Sequence, residues 1–376
     1  MAVRIGFAFN LKPDLPNQPQ GAEPAQASEA SPTPNPSRYA ASRGLRNDLS
    51  QPDLYAEWDE PETIDAVERA LSALGKVIRL EADQDFPRKL MAAKVDFVFN
   101  LAEGLYTVNR EGHVPAICEF LGVPYHASDP LTLSLCLHKG RTKEILAYHG
   151  IPTAPFILAN SRSDARNVSL PFPLFAKPAA EGSSKGISSR SLCTNRAKLV
   201  TVVGELLDTY QEPVLIETYL PGQEFTVAII GNGREARCLP IVGMKFDELP
   251  LGAPAIYGYE AKWLWDTPER PLELFECPAR IEKDLAREIR AVALSAYREL
   301  GCRDWSRVDI RCDAAGRPMV VEVNPLPGIL PNPNDNSCFP KAARAAGMSY
   351  ETLIQTVADI AFRRISGKSL LHKVAA

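Results

Sequence analysis

Arg307-Val308-Asp309-Ile310 and Val321-Glu322-Val323-Asn324, joined through Asp313-Ala314-Ala315-Gly316-Arg317-Pro318, decide how the chain is read. Both quartets alternate apolar and polar residues, the period of a half-buried strand. The alternation predicts that Val308, Ile310, Val321 and Val323 face a core, while Arg307, Asp309, Glu322 and Asn324 share the opposite face. The turn between them folds the two rows together. Asp309, Glu322 and Asn324 then offer hard oxygen ligands in one patch, a set suited to Mg²⁺ held by few carboxylates plus nucleotide phosphates. Arg307 beside them would meet an anionic substrate. Alternation alone fits equally a solvated hairpin with a cross-strand Arg–Glu pair.

The surrounding chain bounds the possibilities. Its 376 residues exceed one ordinary core, so two or three compact units are expected. A formal charge of -4 gives no polyanion-seeking balance, so nucleic acid is not an expected partner. The opening MAVRIGFAFN meets Asn10 and Lys12 too early for a signal-peptide core or a span of about 20 apolar residues. No membrane partner and a cytoplasmic location are therefore expected. Eight cysteines carry no CxxC and no zinc-finger spacing, which points to reduced thiols.

From the N-terminus, a strand over Val3 to Phe9 runs into a stretch rich in Pro, Ala, Ser, Asn and Gln, expected as an insert over 11–53, either a mobile loop or a lid that orders over substrate. Order resumes with a helix from Glu60-Pro61-Glu62-Thr63, in which Ile64, Val67, Ala70, Leu71 and Leu74 recur at helical spacing. A strand at Lys76 to Leu80, a helix near Asp85 to Ala93 and the apolar run Val95 to Phe99 complete a parallel α/β unit. Ligands of such units sit at the carboxyl ends of the strands, which places Asn100 to Gly104 at a site mouth. Beyond a helix over His113 to Leu121, one helix carrying Leu131, Leu135 and Lys139 is expected to continue toward Leu146. Strands at Phe172 to Lys177 and Val214 to Glu217 flank a helix over Lys198 to Tyr210, and a long amphipathic helix spans Ile281 to Leu300.

Directly after the strand ending at Lys177 comes Pro178-Ala179-Ala180-Glu181-Gly182-Ser183-Ser184-Lys185-Gly186. Small residues let backbone N–H groups approach phosphate oxygens, and Lys177 reaches them as a point charge. The Walker A pattern is missing, and an ordinary hairpin has the same composition.

Taken in order, these elements resemble the D-alanine–D-alanine ligase family of ATP-grasp enzymes, from about Asp96 to Arg364. The resemblance rests on Leu121-Gly122-Val123-Pro124-Tyr125, His138-Lys139, Phe175-Ala176-Lys177-Pro178 with Glu181-Gly182-Ser183-Ser184, and Val214-Leu215-Ile216-Glu217 with Gly222-Gln223-Glu224-Phe225-Thr226. It continues through Tyr259-Glu260-Ala261-Lys262, Gly301-Cys302 with Arg307-Val308-Asp309, and Glu322-Val323-Asn324 with Pro327-Gly328. It implies an α/β architecture of three domains with ATP held between the last two. These are an N-terminal parallel domain over 1–122, a central ATP-grasp lid over 123–216 and a catalytic ATP-grasp domain over 217–376.

The resemblance also implies roles. Lys139, Lys177 and Lys262 would hold the ATP phosphates, with the loop of Glu181, Gly182, Ser183 and Ser184 folding over the γ-phosphate. Glu217 would bind the adenine region and Glu224 the ribose. Asp309, Glu322 and Asn324 would hold two Mg²⁺ or Mn²⁺ ions. The implied reaction makes an acyl phosphate from one carboxylate and joins it to an amine, with Arg307 and the Gly328 N–H on the oxyanion and Ser183 and Lys262 beside them. Both substrates would be small and amino-acid-like, and the enzyme a homodimer.

The chain departs from the family on the substrate side. The Gly-Gly-x-Ser-x-Glu turn that grips the first amine is replaced by Phe9-Asn10-Leu11-Lys12. Glu103-Gly104 stands where the family has His-Gly, followed by a differently spaced loop ending in Arg110-Glu111-Gly112. Trp263 stands where a tyrosine usually bonds the loop serine, and indole has no hydroxyl acceptor. Ser337 matches the serine that binds the second carboxylate, in a loop lengthened by Asn334, Asp335 and Asn336. These departures cluster where the amino-acid substrates should lie, which makes a ligase with altered substrates the leading expectation, a genuine D-alanine–D-alanine ligase the second and a non-catalytic nucleotide-binding regulator the third. Glu57 and Glu103 are the candidates to replace the missing amine-binding glutamate. Arg307→Ala is expected to lower kcat by about 10²-fold or more, as loss of an oxyanion donor does, with ATP affinity nearly unchanged, in a phosphate-release assay.

Overall fold

β1 (Arg4–Phe9) runs between β2 (Lys76–Glu81) and β3 (Phe97–Asn100) in a parallel three-stranded sheet. A central parallel strand is covered on both faces, so Ile5 to Phe9 are all buried and show no alternation. α1 (Pro61–Ser72) turns Ile64, Val67, Ala70 and Leu71 inward, and α2 (Phe86–Ala93) buries Phe86 and Leu90. α3 (His113–Leu121) ends on Gly122 in the left-handed conformation that glycine favours. The structure is a computed structural model that describes residues 2–13, 55–246, 249, 256, 258 and 272–371. Most of the expected insert, Lys262 and Trp263 lie outside the described residues. The first residues assigned to that insert are pinned: the Lys12 N–H donates to the Asp59 carbonyl at 2.9 Å and Lys12 Nζ pairs with Glu60 at 2.7 Å.

Two helices replace the single one expected between Leu131 and Leu146. α4 (Pro130–Leu137) is capped by Asp129, which accepts the Thr132 N–H at 2.8 Å. His138 then leaves helical geometry (φ −85°, ψ 87°), and its Nδ1 accepts the Arg141 N–H at 3.3 Å to start α5 (Lys139–Tyr148). Apolar spacing carries no trace of this break because Leu133, Cys136 and Leu146 stay buried on both sides of it. Its effect is to put Lys139 on the first residue of α5, with its N–H donating to the Ala179 carbonyl at 2.8 Å.

The second sheet is antiparallel. β4 (Phe156–Ala159), α6 (Arg162–Arg166), β5 (Leu174–Pro178), β6 (Leu192–Cys193), α7 (Arg196–Tyr210) and β7 (Val214–Thr218) follow in the chain, and the strands order as β4-β7-β5-β6. α7 covers one face with Leu199, Val202, Val203 and Leu206. β7 runs on to Thr218, past residue 216, where the sequence suggests a domain limit.

The third sheet is built from β8 (Glu224–Ile230), β9 (Arg237–Cys238), β10 (Val242–Met244), β11 (Phe275–Glu276), β12 (Trp305–Cys312) and β13 (Pro318–Asn324), ordered β11-β10-β8-β12-β13 with β9 on β8. α8 (Lys283–Glu299) lays Ile289, Ala293, Ala296 and Tyr297 on this unit. Cys136 and Leu146, from helices that the sequence grouped with the second sheet, pack into the same core as Phe225 and Val308. α9 (Cys338–Ala345) and α10 (Tyr350–Ser366) join the third sheet to the first. Leu353, Ile354 and Val357 of α10 share one cluster with Phe7, Leu71 and Trp305. Each fully buried side chain of this kind contributes roughly 1.5–3 kcal/mol. All eight cysteines are free, and no described helix is long and apolar enough to cross a membrane.

In the deciding hairpin, Arg307 lies opposite Asn324 and Asp309 opposite Glu322, but Ile310 lies opposite Val320. Val321 is therefore an extra residue, a β-bulge. The core takes Val320 and Val323, each 1% exposed, while Val321, expected inside, is half-buried. Val320→Ala should cost roughly 1–3 kcal/mol through the cavity it leaves, and Val321→Ala about 0.5 kcal/mol or less. Urea unfolding of the two variants compares them, and equal losses would place the bulge elsewhere.

Candidate active site

Lys177 leaves β5 beside Glu217 of β7, because Phe175 pairs with Glu217 and side chains two apart share a face. Lys177 Nζ lies 2.9 Å from Glu217 Oε1, and Lys143 Nζ, one turn beyond Lys139 on α5, lies 2.7 Å from Glu217 Oε2. Lys143 also donates to Thr153 Oγ1 at 2.7 Å. Burial pushes the Glu217 carboxyl up, but the two ammoniums outweigh it and hold the group at about 2. Burial likewise lowers Lys143, and Glu217 offsets only part of that.

Lys139 Nζ reaches the other side of the site. It lies 2.9 Å from Glu322 Oε1 and donates to the Glu181 carbonyl. Burial raises the Glu322 carboxyl, and Lys139 and Lys177 more than reverse that, leaving it below the usual range. Asp309 Oδ1 accepts from Thr226 Oγ1 at 2.9 Å, and Asp309 Oδ2 accepts from Arg307 Nη2 at 2.8 Å and Asn324 Nδ2 at 3.1 Å. Among the described residues no three His, Cys, Asp or Glu side chains gather as a metal cage. Two carboxylates and one amide on paired strands fit a hard cation whose remaining ligands come from phosphate oxygens. Glu224 Oε2 accepts from Arg311 Nη1 at 2.9 Å, and Arg311 also donates to the Tyr219 hydroxyl at 3.1 Å.

The loop after β5 closes on the first sheet unit. Ser183 (φ 49°) and Ser184 (φ 61°) are both left-handed. Arg110 Nη2 lies 2.8 and 2.9 Å from the two Glu57 oxygens and 3.3 Å from Glu181, while its Nη1 donates to the Ala180 carbonyl at 2.9 Å. Lys185 Nζ lies 2.9 Å from Glu57 Oε2 and also pairs with Glu181. Glu57, one of two residues expected to bind an amine, is thus occupied by two cations. The other, Glu103, has no hydrogen bond or ion pair among the described residues, and neither has Glu111, which is 9% exposed. Burial, then the neighbouring carboxylates, raises Glu103 well above the usual range. Burial raises Glu111 to about 8, against the pull of Arg110.

Ser337 ties its own loop: its Oγ accepts the Leu330 N–H at 3.1 Å and donates to the Gly328 carbonyl at 3.3 Å. Gly328 is exposed, and a Cβ there would meet nothing within 4 Å. Sequence reasoning missed Arg110, Glu111, Lys143 and Arg311 as members of the site. Lys143 carried a signal, since two lysines four apart on a helix repel unless an anion stands between them. Arg110 carried none, because its partner Glu57 lies 53 residues away.

Residues 145–359 match the family described as D-ala D-ala ligase C-terminus. The D-alanine–D-alanine ligase of Cupriavidus necator is 34% identical over 271 residues, covering 72% of this chain and 76% of that one. The chain belongs to the D-alanine–D-alanine ligase family. It is an ATP-dependent, amide-forming ligase of the ATP-grasp type, as the order of its motifs suggested. The uncharacterized protein y4sG of Sinorhizobium fredii is 34% identical over 345 residues, covering 88% of this chain and 97% of that one. Two crystal structures of the Bacillus anthracis D-alanine–D-alanine ligase, one complexed with ATP, align over 96% of this chain and 98% of theirs. Their TM-scores are 0.63 and 0.65 at 21% and 22% identity, a likeness of fold that bears out the expected α/β ATP-grasp class.

Glu217 gives a pH test of the lysine pairing. Its proton binds more weakly in the folded state, at about 2, than at the ordinary 4.5, so its stabilisation is complete above 4.5 and is lost as pH falls toward 2. Glu217→Gln strands Lys143 and Lys177 and should cost about 3–5 kcal/mol near neutrality. Unfolding free energies of variant and wild type, measured against pH, should converge below 4.5. A gap that stayed constant would refute the pairing.

Proposed function

We propose that the enzyme makes an acyl phosphate from one amino-acid-like carboxylate and joins it to the amine of a second, and that this pair is not two D-alanines. The observation that carries the ATP chemistry is the convergence of buried Lys139 and Lys177 on Glu322 and Glu217, beside Asp309 and Asn324. Such ammoniums can hold phosphate oxygens, and such carboxylate and amide oxygens can hold the cations that accompany them. In this reading Lys139, Lys177 and Lys262 hold phosphates under the loop of Glu181, Gly182, Ser183 and Ser184, with Glu217 at the adenine and Glu224 at the ribose. Asp309, Glu322 and Asn324 hold two Mg²⁺ or Mn²⁺ ions, which neutralise phosphate charge. A carboxylate oxygen attacks the γ-phosphorus and ADP leaves. The amine then attacks the acyl carbon, phosphate leaves, and the amine gives up a proton. Arg307 and the Gly328 N–H face the oxyanion in between.

The altered donor pocket is supported by its charges. Glu57 is neutralised by Arg110 and Lys185, whereas Glu103 and Glu111 have no hydrogen-bond or ion-pair partner among the described residues, and burial favours their protonated forms, which a substrate ammonium beside them would reverse. Trp263 and Ser337 complete the substrate side of this reading, and we extend it to a cytoplasmic homodimer. The second reading, D-alanine–D-alanine ligase, is favoured by the name that the relatives carry. A pairwise amino-acid screen with ATP and Mg²⁺, scored by phosphate release and product mass, separates them. An amide product from another pair, with little from D-alanine alone, is expected. D-alanyl-D-alanine as the main product would establish the second reading, and no turnover with any pair would leave a nucleotide-binding regulator.

A further inference from the structure

The loop after β5 is fastened at both ends to one ion pair of the first sheet unit, Glu57 with Arg110. Glu181 and Lys185 on the loop and Glu57 and Arg110 on that unit form a closed quartet, two anions and two cations, with side chains 15%, 6%, 7% and 5% exposed. Exposed ion pairs hold little, but in a buried quartet the loss of one member leaves the other three with an unbalanced buried charge. Gly182 is seated on the carboxylate of that pair: a Cβ there would lie 2.2 Å from Glu57 Oε1. The next two residues, Ser183 and Ser184, hold positive φ values that a side chain resists. A backbone strained in this way keeps its shape only where surrounding contacts over-determine it.

We propose that Glu57, Arg110 and Lys185 form a latch that keeps loop 181–186 closed over the phosphate site, which makes Glu57 a positioning residue for the loop and not a ligand of the substrate amine. The loop's place over the phosphates is taken from the ligase reading above. Both Glu57 oxygens already accept from cations, and two cations already offset its single negative charge, so an incoming ammonium would gain little attraction there. Burial alone would raise the Glu57 carboxyl, and Arg110 and Lys185 instead hold it far below the usual range. Closure is thereby linked to the chain segment immediately before α1, which no nucleotide contact requires.

Amide hydrogen exchange of residues 182–187 in the full chain tests the latch without any amino-acid substrate. Lys185→Met and Glu57→Gln should each speed exchange of these amides by about tenfold or more, while amides of α8 and β12 keep their rates. Lys185→Arg keeps the charge and should keep wild-type protection. Adding Mg²⁺ with the non-hydrolysable analogue AMP-PNP should slow the loop again in Lys185→Met, with a Kd weaker by about the factor of opening. Wild-type loop rates in both Lys185→Met and Glu57→Gln would overturn the latch, as would a Lys185→Arg loop as open as that of Lys185→Met. A wild-type chain that failed to bind AMP-PNP would defeat the ligase reading and leave the nucleotide-free comparison intact.

Discussion

Burying positive charge is the constraint on which this structure depends. Lys139, Lys143, Lys177 and Lys185 are 3%, 1%, 3% and 5% exposed, and ammoniums that deep persist only beside anions. The anions come from separate parts of the fold: Glu322 from the third sheet, Glu217 from the second, and Glu57 from the segment that leads into the first. Satisfying four lysines therefore also fixes how three sheets meet. The desolvation cost of these cations falls on folding, not on binding. In the proposed reading, phosphate oxygens would meet ammoniums already held in place, so that little reorganisation is left for binding.

Much of the fold was legible because it follows periodicities that the sequence carries. The helix from Pro61, the helix over His113 to Leu121 and the alternating faces of β12 all come from apolar spacing. The features that escaped share a different physics. His138 breaks a helix with one side-chain cap, and Val321 shifts a strand register by one residue; neither disturbs the count of apolar residues around it. Of the site, the oxygens on β12 and β13 were placed by alternation, Lys177 by its place at a strand end before a small-residue loop, and Lys139 by the family resemblance alone. The cross-chain pairs were not, since Arg110 meeting Glu57 depends on how α3 and the loop after β5 pack.

The contrast between the two halves of the site follows from what each half must hold. In the proposed reading, triphosphate chemistry demands several cations and a few hard oxygens, which would leave little freedom to change Lys139, Lys177, Asp309 or Glu322. The substrate half must match one ammonium and one side chain, and it can be rebuilt whenever charge remains balanced. Here the quartet of Glu57, Glu181, Arg110 and Lys185 balances by itself. Glu103 and Glu111 have no such partners among the described residues: burial and neighbouring carboxylates raise both, Glu111 to about 8, which favours their protonated forms. In the proposed reading, a substrate ammonium beside them would favour their charged forms and complete the charge inventory of the pocket, whereas a bare acid would not.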